Sequence, residues 1–185
     1  MIETLEELAV LCVDEADMTP ALDVAIRELL CECFPGEVRN FSHTRAWHGS
    51  GPTYSIVYCE GTRALGHVGV VVRKVACDRR PVMVAGVQNV AVHPERRRTG
   101  LSRRVMHQAM EEASRRGIPY GLLFCVPQLE RFYHYLGWEK VAATAVMRDE
   151  HGTRVSTSDK NITMIRGLAG APLSPREIDL QGADW

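Results

Sequence analysis

Residues 82–126 read "VMVAGVQNVAVHPERRRTGLSRRVMHQAMEEASRRGIPYGLLFCV", and this stretch decides the fold. Its first eleven residues are a β-favouring apolar run, which Pro94 and Glu95 stop. After Gly100, the residues Leu101, Val105, Ala109 and Ala113 recur at every fourth position, the spacing of one helix face, until Gly117 and Pro119 end it. "YGLLFCV" is then a buried strand. A strand, helix and strand in that order predict two parallel or nearly parallel strands joined by a crossover.

Upstream, "YSIVYCE" and "ALGHVGVVVRKVAC" are further strands, set off by the turn-like "EGTR" and "DRRP", so three consecutive strands should form an antiparallel meander. Thr19-Pro20 is a helix start, with a hydroxyl N-cap before a first-turn proline; Leu22, Ile26, Leu29, Leu30 and Cys33 form the stripe, and "FPGEVRN" ends the helix. Downstream of Pro127, "QLERFYHYLGW" is a short helix closed by Gly137. "WEKVAATAVM" and "KNITMIRGL" are expected as two last strands, and "APLSPREIDLQGADW" as an ordered or semi-ordered tail. We therefore expect one α/β domain over residues 1–185, a length that suits a single core.

Hydrophobic residues make up 45% of the chain and charged residues 24%, the balance of an ordinary globular protein. The apolar runs "VGVVV" and "VMVAGV" break off well short of the ~20 residues that span a bilayer. The first twenty residues carry acidic groups where a secretory signal has basic ones, so a cytoplasmic location without membrane partners is expected. Cys12, Cys31, Cys33, Cys59, Cys77 and Cys125 lack paired metal-ligand spacing and are read as mostly buried free thiols, with no metal. A net charge of −1 argues against a general nucleic-acid binder.

Arg96, Arg97, Arg98, Arg103 and Arg104 nonetheless crowd around Gly100. One reading is a solvated helix face. The other is an anion site, because a loop opening a helix offers unpaired backbone N–H groups and a positive dipole end, and a glycine lets the backbone approach a phosphate. The pattern lacks the Gly-Lys-Ser/Thr ending of a P-loop and the three glycines of a dinucleotide fingerprint.

"RRTGLS" between a strand and a helix resembles the signature of the GCN5-related N-acetyltransferase (GNAT) superfamily, with Ser102 standing at its last small position. Phe132-Tyr133 followed by Gly137-Trp138 resembles the superfamily's second landmark. The resemblance implies an acyl-CoA N-acyltransferase fold, a mixed, mostly antiparallel sheet flanked by helices. It implies acetyl-CoA as cofactor, its pyrophosphate on backbone amides of Arg97, Arg98, Thr99, Gly100, Leu101, Ser102 and Arg103, and its pantetheine arm along Val90, Ala91 and Val92. It also implies that Tyr133 protonates the departing thiolate, where the alternative is a core aromatic, and that the Val90 N–H meets the oxyanion.

At the position where related amino-sugar acetyltransferases carry glutamate stands Gln88, which can orient a water but cannot take a proton. His67, His93 and the C-terminal carboxylate stay open as bases. The chain also resembles the aminoglycoside 2′-N-acetyltransferases, through "GHVGVVVRK", "YHYLGW" and "IDLQGADW". That resemblance implies that Glu37, Asp179, Asp184 and the terminal carboxylate of Trp185 hold a cationic sugar; a frayed, solvated end is the alternative. "TRAWHGSGPTYSIVY", "GHVG" and "GIPYG" resemble the nodulation-factor N-acyltransferases, with Arg45 and Trp47 most distinctive, and Trp47 is either a sugar platform or a core plug. The expectation is acetyl transfer to a primary amine of a small amino sugar or aminoglycoside-like molecule. A longer acyl donor, including an acyl carrier protein, a coenzyme-binding protein without turnover, and a homodimer remain open.

Overall fold

The computed structural model describes residues 8–47 and 49–185; the expectation for the chain's first seven positions lies outside them. β1 (Ala9–Asp14) leads to α1 (Pro20–Cys33), a short α2 (Val38–Phe41) and the meander β2 (Tyr54–Glu60), β3 (Arg63–Cys77) and β4 (Arg80–Val92). Then come α3 (Leu101–Arg115), β5 (Tyr120–Cys125), α4 (Glu130–Tyr135), β6 (Glu139–Val141), β7 (Thr144–Arg148), β8 (Arg154–Ser156), β9 (Ile162–Gly167) and β10 (Glu177–Asp179). All ten strands belong to one sheet, ordered β6-β9-β5-β4-β3-β10-β7-β8, with β1 and β2 continuing from the first half of β3. β4 with β5 and β10 with β7 run parallel, and every other pair is antiparallel. Among the described residues no helix is long and apolar enough to cross a membrane.

The expected helix starts hold. Thr19 Oγ1 accepts the Leu22 N–H at 3.3 Å, and Leu101, Val105, Ala109 and Ala113 are all buried. α3 packs its face on Tyr54, Ile56, Leu65, Ala85, Val87 and Leu123, while α1 packs on the other face against Val57, Cys59, Ala64 and Ala91. The alternation of neighbouring strand residues between these two layers is the two-residue period of a pleated sheet buried on both sides.

The tail is ordered, as expected, since β10 inserts between β3 and β7 and Trp185 is buried. Two expectations need correction. "WEKVAATAVM" is not one strand: β6 pairs with β9 at one end of the sheet and β7 with β8 and β10 at the other. "AVLCVD" is an edge strand with Cys12 exposed, whereas Cys59, Cys77 and Cys125 are buried free thiols.

Candidate active site

The sheet splits at one place. β4 pairs with β5 only from Val84–Tyr120 to Val87–Leu123. Beyond that point β4 stays with β3 as far as Val92, and β5 stays with β9 as far as Cys125. The register between β3 and β4 slips between His67 and Gly69, and opposite the slip Asn89 takes a left-handed backbone, φ 53°. An extra residue in one strand bends it and re-aims its edge, as a β-bulge does. β4 and β5 diverge there, and a cavity of about 260 Å³ opens along the freed edge of β4. Val90, Ala91 and Val92 form one wall, Cys33 and Phe34 at the end of α1 a second, and Leu129, Phe132 and Tyr133 a third; Arg97 and Ser102 stand among its lining residues.

The arginines divide by what they touch. Arg96 is ion-paired with Glu60, and the Arg104 guanidinium lies 5.0 Å over the Tyr58 ring, so both serve the fold. Arg97, Arg98 and Arg103 are exposed, and Arg97 Nε–H reaches the Val92 carbonyl at 3.4 Å. Thr99 Oγ1–H donates to the Arg96 carbonyl at 2.6 Å and draws the turn tight. Arg98, at φ 63°, and Gly100, at φ 83°, then swing the chain into α3. No atom comes within 4 Å of where a Cβ on Gly100 would sit, so the turn is open to a ligand. The Gly100 carbonyl takes the Arg104 N–H at 3.2 Å, which leaves the amides of Leu101, Ser102 and Arg103 without an intrahelical acceptor. Three free amides, a helix dipole and nearby guanidinium groups together suit a phosphate.

Tyr133 is 7% exposed and flanks Phe132 with ring centroids 5.0 Å apart. Burial, with a smaller contribution from Cys125, holds its phenol well above the usual range, so it carries its proton at neutral pH. The Gly-Trp landmark has a mechanical explanation. Gly137, at φ 82°, closes α4, the Trp138 N–H returns to the Tyr133 carbonyl at 3.1 Å, and the Trp138 indole seats on Gly121, where a Cβ would stand 2.7 Å from it.

Gln88 and the two histidine base candidates are committed elsewhere. Gln88 is 3% exposed; its Nε2 donates to the Ser50 carbonyl at 2.9 Å and its Oε1 accepts from Asn89 Nδ2 at 3.3 Å. His67 is fully buried, its Nδ1–H on the Asn89 carbonyl at 3.0 Å and its Nε2 facing Ser55 Oγ at 3.3 Å. His93 Nδ1 accepts the Glu95 N–H at 3.3 Å, so its proton sits on Nε2, 2.6 Å from Glu32.

The residues assigned to the acceptor are not gathered in one place. Glu37 is exposed beyond α1, and Trp47 packs edge-on against Phe34 and Phe41 at 5.3 and 4.9 Å, which is the core-plug arrangement. Asp179 is held by Arg148 at 3.0 and 2.9 Å, by Arg154 at 3.5 Å and by the Gln181 N–H at 2.9 Å, and these partners outweigh burial to keep its carboxyl below the usual range. The Trp185 ring fills a notch over Gly86, 5.9 Å from Phe124 and beneath the Arg73 guanidinium; Asp184 supports the Arg73 charge. Cys33, Phe34, Leu129 and Asn89 were missed by the sequence reading. The first three look like ordinary core positions, but the polar pair Gln88-Asn89 interrupting an apolar strand was a bulge signal.

The domain family described as "Acetyltransferase (GNAT) domain" matches residues 19–141. Nodulation protein A of Bradyrhizobium sp. (strain ANU 289) is 27% identical over 124 residues, 66% of this chain and 56% of that protein, so the match spans little more than half of the relative's length. The crystal structure of an acyl-CoA N-acyltransferase from Pseudomonas aeruginosa aligns with TM-score 0.63 at 17% identity, over 87% of this chain and 100% of the other. An aminoglycoside 6′-N-acetyltransferase complexed with coenzyme A aligns with TM-score 0.58 at 13% identity, over 88% and 99% of the two chains. At such identities the structural matches speak for a shared fold.

Proposed function

The chain belongs to the GNAT acetyltransferase family, and on that premise we propose that it transfers acetyl from acetyl-CoA to a primary amine on a small amino sugar or aminoglycoside-like molecule. The observation that carries the reading is the split between β4 and β5, which has an anion-binding turn at one mouth and a protonated, buried tyrosine in its wall. When bound, acetyl-CoA supplies the activated thioester. The amides of Leu101, Ser102 and Arg103, with Arg97 and Arg98, hold its phosphates. The freed edge Val90–Val92 orients the pantetheine arm by main-chain bonds, with the Val90 N–H assigned to the developing oxyanion. Tyr133 donates the proton that the leaving thiolate needs. With Gln88, His67 and His93 all engaged, the acceptor arrives as the neutral amine or loses its proton to solvent or to the C-terminal carboxylate, the base candidate left open, which suits amino-sugar amines that titrate near neutrality.

The experiment is thermal stabilisation by acetyl-CoA, followed by free-thiol release with kanamycin, tobramycin, glucosamine and chito-oligosaccharides. Stabilisation with release on one amine class supports the reading and names the acceptor; no stabilisation would overturn it. A longer acyl donor is the second reading, favoured by the apolar walls Phe34, Leu129 and Phe132. Release from a long-chain acyl-CoA exceeding that from acetyl-CoA would select it.

A further inference from the structure

The split in the sheet is held open by a set of buried polar groups that do not line it. Asn89 is 4% exposed and left-handed, a conformation that most residues avoid and that asparagine tolerates better than alanine. Both its backbone and its side chain are gripped. Its carbonyl takes the His67 Nδ1–H at 3.0 Å, and its Nδ2 donates to the Arg45 carbonyl at 2.5 Å and to Gln88 Oε1 at 3.3 Å. Each of those anchors is itself fixed. His67 is backed by Ser55, Gln88 by the Ser50 carbonyl at 2.9 Å, and Arg45 by Glu15 at 2.5 Å and Asp23 at 2.6 Å. The grip therefore runs from the loop before α1, through α1, to β3 and β4.

Burying a histidine, two amides and an arginine is expensive, and apolar residues on a regular strand would fill the same space at less cost. The place where this cost is met is the point at which β4 leaves β5. We infer that the left-handed backbone of Asn89, anchored at its carbonyl by His67, is the positioning element: it locks β4 in the bulge that keeps the Val90–Val92 edge available to the acetyl donor, without touching donor or acceptor. This inference rests on the transferase reading above.

The test compares Asn89→Ala with Asn89→Gly. Both delete the amide bonds to Arg45 and Gln88, but only glycine adopts positive φ freely. The expected result is a KM for acetyl-CoA about 10-fold higher in Asn89→Ala and within about 2-fold of the parent in Asn89→Gly, with kcat little changed in either. Hydrogen exchange of the 88–92 segment, measured without acetyl-CoA, should slow in Asn89→Ala as β4 closes onto β5 and stay fast in Asn89→Gly. His67→Gln, which keeps a donor and an acceptor, should follow the parent. Equal effects of alanine and glycine in KM and in exchange would overturn the positioning role. The exchange comparison reads the bulge even in a protein that transfers nothing, so an inactive parent chain would sink the transferase reading while this comparison still decides the role of Asn89.

Discussion

In the proposed reaction Tyr133 gives its proton to the leaving thiolate; a phenol is protonated at neutral pH, and burial raises this one further above the usual range. Tyr133→Phe keeps the ring and its packing on Phe132 and Trp138, so kcat should fall about 100-fold with the KM for acetyl-CoA nearly unchanged. Steady-state kinetics decide this, and an unaltered kcat would remove Tyr133 from the chemistry. His67 makes the opposite kind of prediction. Burial, opposed by the bond to the Asn89 carbonyl and aided by the Arg45 charge, pushes its pKa down to about 4. Above pH ~6.5 both folded and unfolded chains carry it neutral, and it adds no pH dependence. As pH falls below that value the unfolded chain takes up a proton that the folded chain refuses, so stability drops until about pH 4, by about 3 kcal/mol in all. Denaturant titrations between pH 4 and 7 should show this slope in the parent and a flatter one in His67→Gln; equal slopes would show that His67 titrates normally in the fold. The landmark Phe132-Tyr133 and Gly137-Trp138 was legible in the sequence because it is local, within one turn and its cap. The partners of Gln88 and His67 were not, since Ser50 reaches Gln88 from the loop before β2 and Asn89 meets His67 only through strand register.

At the scale of elements, local signals carried well wherever a cap or a period was present. Thr19 before α1, the four-residue recurrence in α3 and the Gly137 stop are all decided by neighbours a few residues away. The tail carried no such signal. The resemblance to aminoglycoside 2′-N-acetyltransferases implies Asp179 and Asp184 as acceptor ligands; in the fold Asp179 is taken up by Arg148 and Arg154, from strands the sequence did not place beside it. The tail's visible work is packing. A Cβ on Gly86 would stand 2.2 Å from the Trp185 ring, so Gly86→Ala must displace the indole or the strand. We expect Gly86→Ala to cost about 2 kcal/mol and Trp185→Ala about 3 kcal/mol. With the ring gone the three atoms nearest the added methyl are gone too, so the double variant should be little worse than Trp185→Ala alone. A double-mutant cycle by denaturant unfolding checks this, and additive losses would mean that Trp185 does not occupy the Gly86 notch in solution.

The whole molecule depends on its last strand more than its order of elements suggests. The central meander and the crossover from β4 to β5 follow from runs of β-formers and one helical period, so that half of the sheet could be read in advance. The other half could not, because β6 and β7 are consecutive yet lie at opposite ends of the sheet. Among the described residues β7 and β8 join the remaining strands only through β10, which is parallel to β7 and antiparallel to β3. Ile178 and Leu180 are fully buried there and Trp185 nearly so. Losing burial of this kind costs about 2–5 kcal/mol for each large side chain, and three together rival the 5–15 kcal/mol that holds a typical domain. Removing residues 174–185 should therefore abolish cooperative unfolding or lower the Tm by well over about 10 °C. Hydrogen exchange separates a local from a global effect. If β10 is the tie, amides of 144–156 become fast first while those of 54–92 keep partial protection, as expected when one cooperative unit loses its connection to another. Protection of 144–156 surviving the truncation would mean that β7 and β8 are held by side-chain packing on the face of the sheet rather than by the ladder through β10.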